Sequence, residues 1–212
     1  MKFVLSILKA FLINFIFIGI IHAATSCPAI SPSVAGNSAS EQVEAIINDV
    51  VCSFIDLNKQ NNGTFRSTLN LTKKKIIPYI DLKHSTMLAL GDYWIELDTK
   101  ERKIFERDIK NSLINDYVGI LSEIEQWEEL GISVDNNYSQ NNNTARVNIQ
   151  VSLDDANTSA AVTLKLINNE RWKIYDLEYQ SISILDIEKI GYDSKIKRQG
   201  IEKLIEKMLL KS

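Results

Sequence analysis

Histidine and cysteine, the side chains that metal binding and much acid-base catalysis draw on, are scarce in this chain. Only His22 and His84, and only Cys27 and Cys52, occur in 212 residues. A Ser-His-Asp arrangement would have to be built on His84 alone once the N-terminal segment is set aside, and neither cysteine has a partner base near it in sequence. The eight glycines are scattered and form no phosphate-cradling loop. Adjacent acids, Asp154-Asp155 and Glu128-Glu129, read as solvated charge. No catalytic residue, metal ligand or cofactor is therefore expected. Positive charge is outnumbered, 24 Lys and Arg against 27 Asp and Glu for a net charge of −3, which argues against nucleic acid as a partner.

Long apolar runs are also missing, with one exception. Lys2 and Lys9 accompany an apolar stretch from Leu5 to Ile21 that ends at Ala23 and Ala24. This is the anatomy of a secretory signal peptide over residues 1–24. A retained N-terminal anchor is the other reading, although small and polar residues follow it without a positive cluster. Nothing later approaches the roughly 20 apolar residues that cross a bilayer. Residues 25–39 are rich in Ser and Pro and read as a flexible leader. An exported chain permits a Cys27–Cys52 disulfide. Lipidation of Cys27 is a further reading, on a weak lipobox.

The remaining residues, 40–212, are expected to form a single domain. Val43, Ile46, Ile47, Val50 and Val51 recur at helical spacing, with Ser40 as the expected N-cap. Two short helices are predicted around Pro78, from Leu69 to Ile80 and from Lys83 to Leu90. The longest starts at Thr99 and carries Phe105, Ile109, Leu113 and Tyr117 on one face. Past Gly131 the period changes to two. Ala145, Val147, Ile149, Val151 and Leu153 alternate with polar residues, and Val162, Leu164 and Leu166, then Trp172 and Ile174, repeat the pattern. Two closing helices are predicted, from Ile187 to Lys197 and from Ile201 to Leu210, broken at Gly200. The expected fold is α+β, with N- and C-terminal helices packed on a curved antiparallel sheet of NTF2-like shape.

Four segments carry a resemblance to a known family. They are Ile77-Pro78-Tyr79-Ile80-Asp81, Leu90-Gly91-Asp92-Tyr93-Trp94, Trp172-Lys173-Ile174-Tyr175-Asp176-Leu177 with Ile182-Ser183, and Gly200-Ile201-Glu202-Lys203-Leu204. In this order, behind a signal peptide, they resemble the MlaC family of auxiliary proteins for lipid transport. The chain departs from the family pattern at Ser181, where many members carry Gly, and at Ile187-Glu188-Lys189.

The resemblance implies a periplasmic carrier that holds a phospholipid by two acyl chains between sheet and helices. It further implies exchange with an inner-membrane ABC transporter complex and an outer-membrane lipoprotein/porin complex, in maintenance of outer-membrane lipid asymmetry. The expected cavity walls are Val147, Ile149, Val151, Val162, Leu164, Leu166, Trp172 and Ile174 on the sheet. Ile77, Ile80, Phe105, Ile109, Leu113 and Tyr117 would face them from the helices. The competing expectations are an NTF2-like small-ligand-binding, hydrolase or isomerase domain, whose cavity would carry converging polar groups, and a structural envelope protein.

Overall fold

Helices come first because the early apolar residues repeat every three to four positions and the longer runs each have a capping side chain. A computed structural model describes residues 38–60, 62–124, 127–135, 139–153 and 159–210. The signal-peptide segment and Cys27 lie outside these. Helix α1 is Ala39–Lys59, and Ser38, not Ser40, is its N-cap. The reason is the capping box: the Glu41 N–H donates to Ser38 Oγ at 3.2 Å, and Glu41 Oε2 accepts the Ser38 N–H at 3.1 Å. Three residues beyond Ser40 stands Val43, which could not answer in this way. Cys52 lies on α1 and is disulfide-bonded.

Helix α2 (Phe65–Lys75) starts earlier than its periodicity suggests because Thr64 caps it, the Ser67 N–H donating to Thr64 Oγ1 at 3.3 Å, and stops earlier because a separate 3-10 turn, Ile77–Tyr79, forms around Pro78. Lys75 Nζ reaches Asp49 Oδ1 at 2.7 Å and ties α2 to α1. Helices α3 (Leu82–Leu90), α4 (Tyr93–Glu96) and α5 (Thr99–Glu123) follow. Asp81 caps α3 through the His84 N–H, at 3.0 Å. Asp98 and Glu101 form a second capping box at the start of α5.

The change to alternation produces the sheet. Strands β1 (Leu130–Val134), β2 (Ser139–Asn141), β3 (Thr144–Leu153), β4 (Ser159–Asn169), β5 (Arg171–Tyr179) and β6 (Ile182–Ser183) are all antiparallel. Their order is β1-β3-β4-β5-β6, with β2 also on β3. Strands β2 and β6 are short and have too few alternating apolar residues to be read from periodicity, whereas β1 does alternate, with Leu130, Ile132 and Val134 on one face. Helices α6 (Ile184–Gln199) and α7 (Ile201–Leu209) close the chain, separated at Gly200, whose φ of 84° stops α6 as expected of a glycine at that site. Among the described residues, no helix is long and apolar enough to cross a membrane.

The link between β5 and β6 is a two-residue turn in which both central residues, Gln180 (φ 50°) and Ser181 (φ 65°), are left-handed. A hairpin turn of this type favours Asn-Gly, because a Cβ crowds the backbone in that region. Ser181→Gly is therefore expected to stabilise the fold by roughly 0.5–1 kcal/mol, part of the relief being offset by the freer unfolded chain. Thermal unfolding would show this as a rise of a few degrees, and an unchanged or lowered midpoint would refute it.

Candidate functional site

A compact domain usually has one contiguous core, and here the buried apolar side chains form three. Val43 and Ala39 of α1 cover Ala145, Val147, Leu164, Leu166 and Trp172 of the sheet. Phe105 and Ile109 of α5 pack with Tyr192, Ile196, Leu204 and Met208 of the closing helices. Phe54 stacks on Trp127, the two rings 4.3 Å apart and nearly parallel, and Ile55 is buried in the same cluster. Where the three should meet there is a cavity of ≈ 300 Å³.

Its walls take residues from every layer. Ile149 of β3, Leu164 of β4 and Ile174 to Leu177 of β5 form the sheet side. Ile76, Ile80, Ser85 of α3, and Leu113 and Leu121 of α5 face them, and Ile184 and Leu185 at the start of α6 complete the ring. The lining is almost wholly apolar. Exposure grades along the strands and shows where the cavity opens. Ala145, Val147, Leu166 and Trp172 are buried beneath α1, whereas Ile149, Val151, Val162 and Leu177 at the other end are only half-buried.

An apolar hollow that opens to solvent leaves its walls against water, and a ligand that covers them gains roughly 25 cal/mol for each Å² of apolar surface removed from water. Water is a poor filler for walls without polar partners. The arrangement favours an apolar ligand, and ≈ 300 Å³ stands at the small end of the roughly 300–1,000 Å³ range of ligand pockets.

Of the wall residues expected from sequence, Ile80, Leu113, Ile149, Leu164 and Ile174 line this cavity. Phe105 and Ile109 lie in the helical cluster, with Phe105 edge-on to Tyr192 at 5.6 Å. Val147, Leu166 and Trp172 lie in the cluster under α1. Val162 is half-buried against the cluster under α1, Val151 is half-buried on β3, and Ile77 is half-buried in the 3-10 turn. Tyr117 falls on α5, its side chain outside the described residues.

Periodicity overlooked Ile76, Ser85, Tyr175, Asp176, Leu177, Ile184 and Leu185, and it put Leu121 on the apolar stripe of the long helix without assigning it to the wall. A bulge explains part of this: Leu166 pairs with Ile174 but Lys165 with Asp176, so Tyr175 is the extra residue and strict alternation fails across it. The segment Tyr175-Asp176-Leu177 was nevertheless visible as part of a family motif.

Two polar side chains of the lining, Ser85 and Asp176, are bonded within the fold. Ser85 Oγ donates to the Tyr175 carbonyl at 2.7 Å, and the Asp81 N–H donates to the Ile174 carbonyl at 2.8 Å. Asp176, 6% exposed, accepts three bonds. Lys165 Nζ and Ser183 Oγ reach its Oδ2 at 2.8 and 2.7 Å, and the Leu185 N–H reaches its Oδ1 at 3.2 Å. Lys165 also bonds Glu178, which in turn holds Arg146. Burial alone would lower the Lys165 pKa, but its bonds to Asp176 and Glu178 outweigh that and hold it above the ordinary lysine value. Lys165 and Arg146 hold Glu178 below the ordinary carboxylate range. His84 packs edge-on against Tyr175, ring centres 4.9 Å apart. Burial lowers its pKa against the pull of the Asp81 carboxylate, which favours a neutral ring. Among the described residues, no group of three or more His, Cys, Asp or Glu side chains could hold a metal ion.

Comparison with known proteins places this geometry among relatives. A sequence model of the MlaC protein family matches residues 44–209. The intermembrane phospholipid transport system binding protein MlaC of Haemophilus influenzae is 23% identical, the match covering 93% of this chain and 89% of that one. A phospholipid-binding protein from Ralstonia solanacearum, solved in complex with a phospholipid, has a similar fold, with a TM-score of 0.68 at 20% identity. That likeness covers 81% of this chain and 94% of the other.

Proposed function

The chain belongs to the MlaC family, and on that premise we propose that it is a periplasmic phospholipid carrier that takes up lipid acyl chains in the cavity between sheet and helices. The observation that carries this reading is the failure of three apolar cores to merge, which leaves an aliphatic hollow open at one end. A two-chain phospholipid has about 28 methylenes, and at about 0.8 kcal/mol each their transfer from water is worth on the order of 20 kcal/mol. Unassisted passage across an aqueous compartment is correspondingly rare. A membrane interior and a dry pocket solvate the chains alike, so a docked carrier needs no catalytic group to exchange them.

In this reading the wall consists of Ile80, Leu113, Ile149, Leu164 and Ile174 together with Ile76, Leu121, Leu177, Ile184 and Leu185. The exchange partners are an inner-membrane ABC transporter complex and an outer-membrane lipoprotein/porin complex. The NTF2-like enzyme reading is less well supported. Ser85 and Asp176 already bond to groups of the fold, so neither is left to orient a polar substrate.

The test is organic extraction of the purified protein followed by mass spectrometry. Phospholipid near one molecule per chain is the expected result. A small polar metabolite would favour the enzyme reading, and an empty protein that also takes up no phospholipid from vesicles would refute the carrier.

A further inference from the structure

The helical and sheet layers are joined beside the open end of the cavity by a short connection, Ile182 to Leu185. Its first half belongs to the sheet, since Ile182 pairs with Tyr179 and Ser183 with Glu178. Its second half belongs to the helices, since Leu185 is buried in their cluster. Ile184 and Leu185 are themselves cavity wall. One buried side chain, Asp176 on β5, grips both halves, taking Ser183 Oγ on one carboxylate oxygen and the Leu185 N–H on the other. Lys165 holds that carboxylate from the neighbouring strand. Just before the connection stand Gln180 and Ser181, both left-handed without being glycine, so the turn is relieved if the connection comes away from β5.

We propose that residues 182–185 are a strap at the cavity mouth and that Asp176 is the positioning residue that latches it, setting how fast a bound lipid leaves. The inference rests on the carrier reading. A two-chain lipid is large for ≈ 300 Å³, so its passage requires the layers to part, and the strap is a place where one carboxylate spans the parting line. Holding both oxygens of Asp176 in charge-assisted bonds makes the closed state firm, and the strained turn gives it something to release.

The experiment uses full-length protein loaded with a fluorescent phosphatidylcholine and follows its transfer to phosphatidylcholine vesicles. Ser183→Ala removes one latch bond together with the N-cap of α6, where the Asp186 N–H donates to Ser183 Oγ at 3.1 Å, and is expected to speed release by about tenfold at unchanged loading, the scale of one hydrogen bond to a charged group. Ser181→Gly relaxes the turn and is expected to slow it. Ser38→Ala, which removes a helix cap distant in sequence from the strap, controls for general loss of stability and is expected to leave the rate alone. Hydrogen exchange at the Leu185 amide should quicken in Ser183→Ala and not in Ser38→Ala. Release from loaded Ser183→Ala at the wild-type rate, or equal acceleration by Ser38→Ala, would overturn the strap while leaving the carrier intact. A wild-type protein that cannot be loaded at all would overturn both.

Discussion

Ile149→Glu should leave a folded protein that has lost its phospholipid. Ile149 is a half-buried member of the cavity wall on β3, opposite Val162 in the sheet register. Because it is half-buried, the free protein can tolerate a longer polar side chain whose carboxylate turns toward water at the open end. An acyl chain in the cavity closes that escape and leaves the carboxylate desolvated beside methylenes. The penalty for an unpaired polar group in such a site is several kcal/mol, enough for a fall of more than a hundredfold in affinity. The lipid-to-protein ratio after extraction is expected to drop below roughly a tenth of wild type on that scale, with the circular dichroism spectrum preserved. Gln150→Glu provides the comparison, since Gln150 is exposed and points to the other face of the strand. If Ile149→Glu keeps its lipid while folded, the acyl chains do not lie against β3.

Asp176→Ala should destabilise the fold by about 3 kcal/mol, because it strands the Ser183 hydroxyl and the Leu185 N–H in a buried place and takes a partner from Lys165. For a domain of this size that corresponds to a fall in the unfolding midpoint on the order of 10 °C. Lys165→Met should be nearly as damaging, since it leaves the Asp176 carboxylate without its cation. Combining Lys165→Met with Asp176→Leu is expected to recover part of the loss, as an apolar pair replaces an ionic one. A midpoint for Asp176→Ala within a degree or two of wild type would show that the network stabilises little.

The two predictions differ in how much of each was legible beforehand. Ile149 could be named from alternation along β3, because a half-buried strand shows its inward side chains at every second position. Leu113 and Ile80 were legible in the same way, from helical spacing and from the Ile-Pro-Tyr-Ile-Asp segment. Asp176 could not be assigned its place so easily. The family motif drew attention to it, but only the bulge between Lys165 and Leu166 puts it opposite Lys165 and beside the start of α6.

Phe105, Ile109, Val147, Leu166 and Trp172 show the other limit. Their apolar character and phase were read correctly, yet those properties are the same for a side chain facing a neighbour and one facing a hollow. Which of the two applies depends on where α1 and the closing helices lie across the sheet. Those positions involve partners far apart in the chain, such as Val43 with Val147 and Phe105 with Tyr192.

From its own order of residues this chain determined the helix-then-sheet succession, the inward faces of β3 and β4, the break between the closing helices at Gly200 and the scarcity of reactive side chains. These follow from local geometry and from periods of 3.6 and 2. The tertiary structure alone decided that three apolar clusters stop short of one another, where the remaining space opens and which carboxylate bridges its edge. Such features arise from the packing of whole layers, and a gap between layers has no residues of its own to leave a pattern in the sequence.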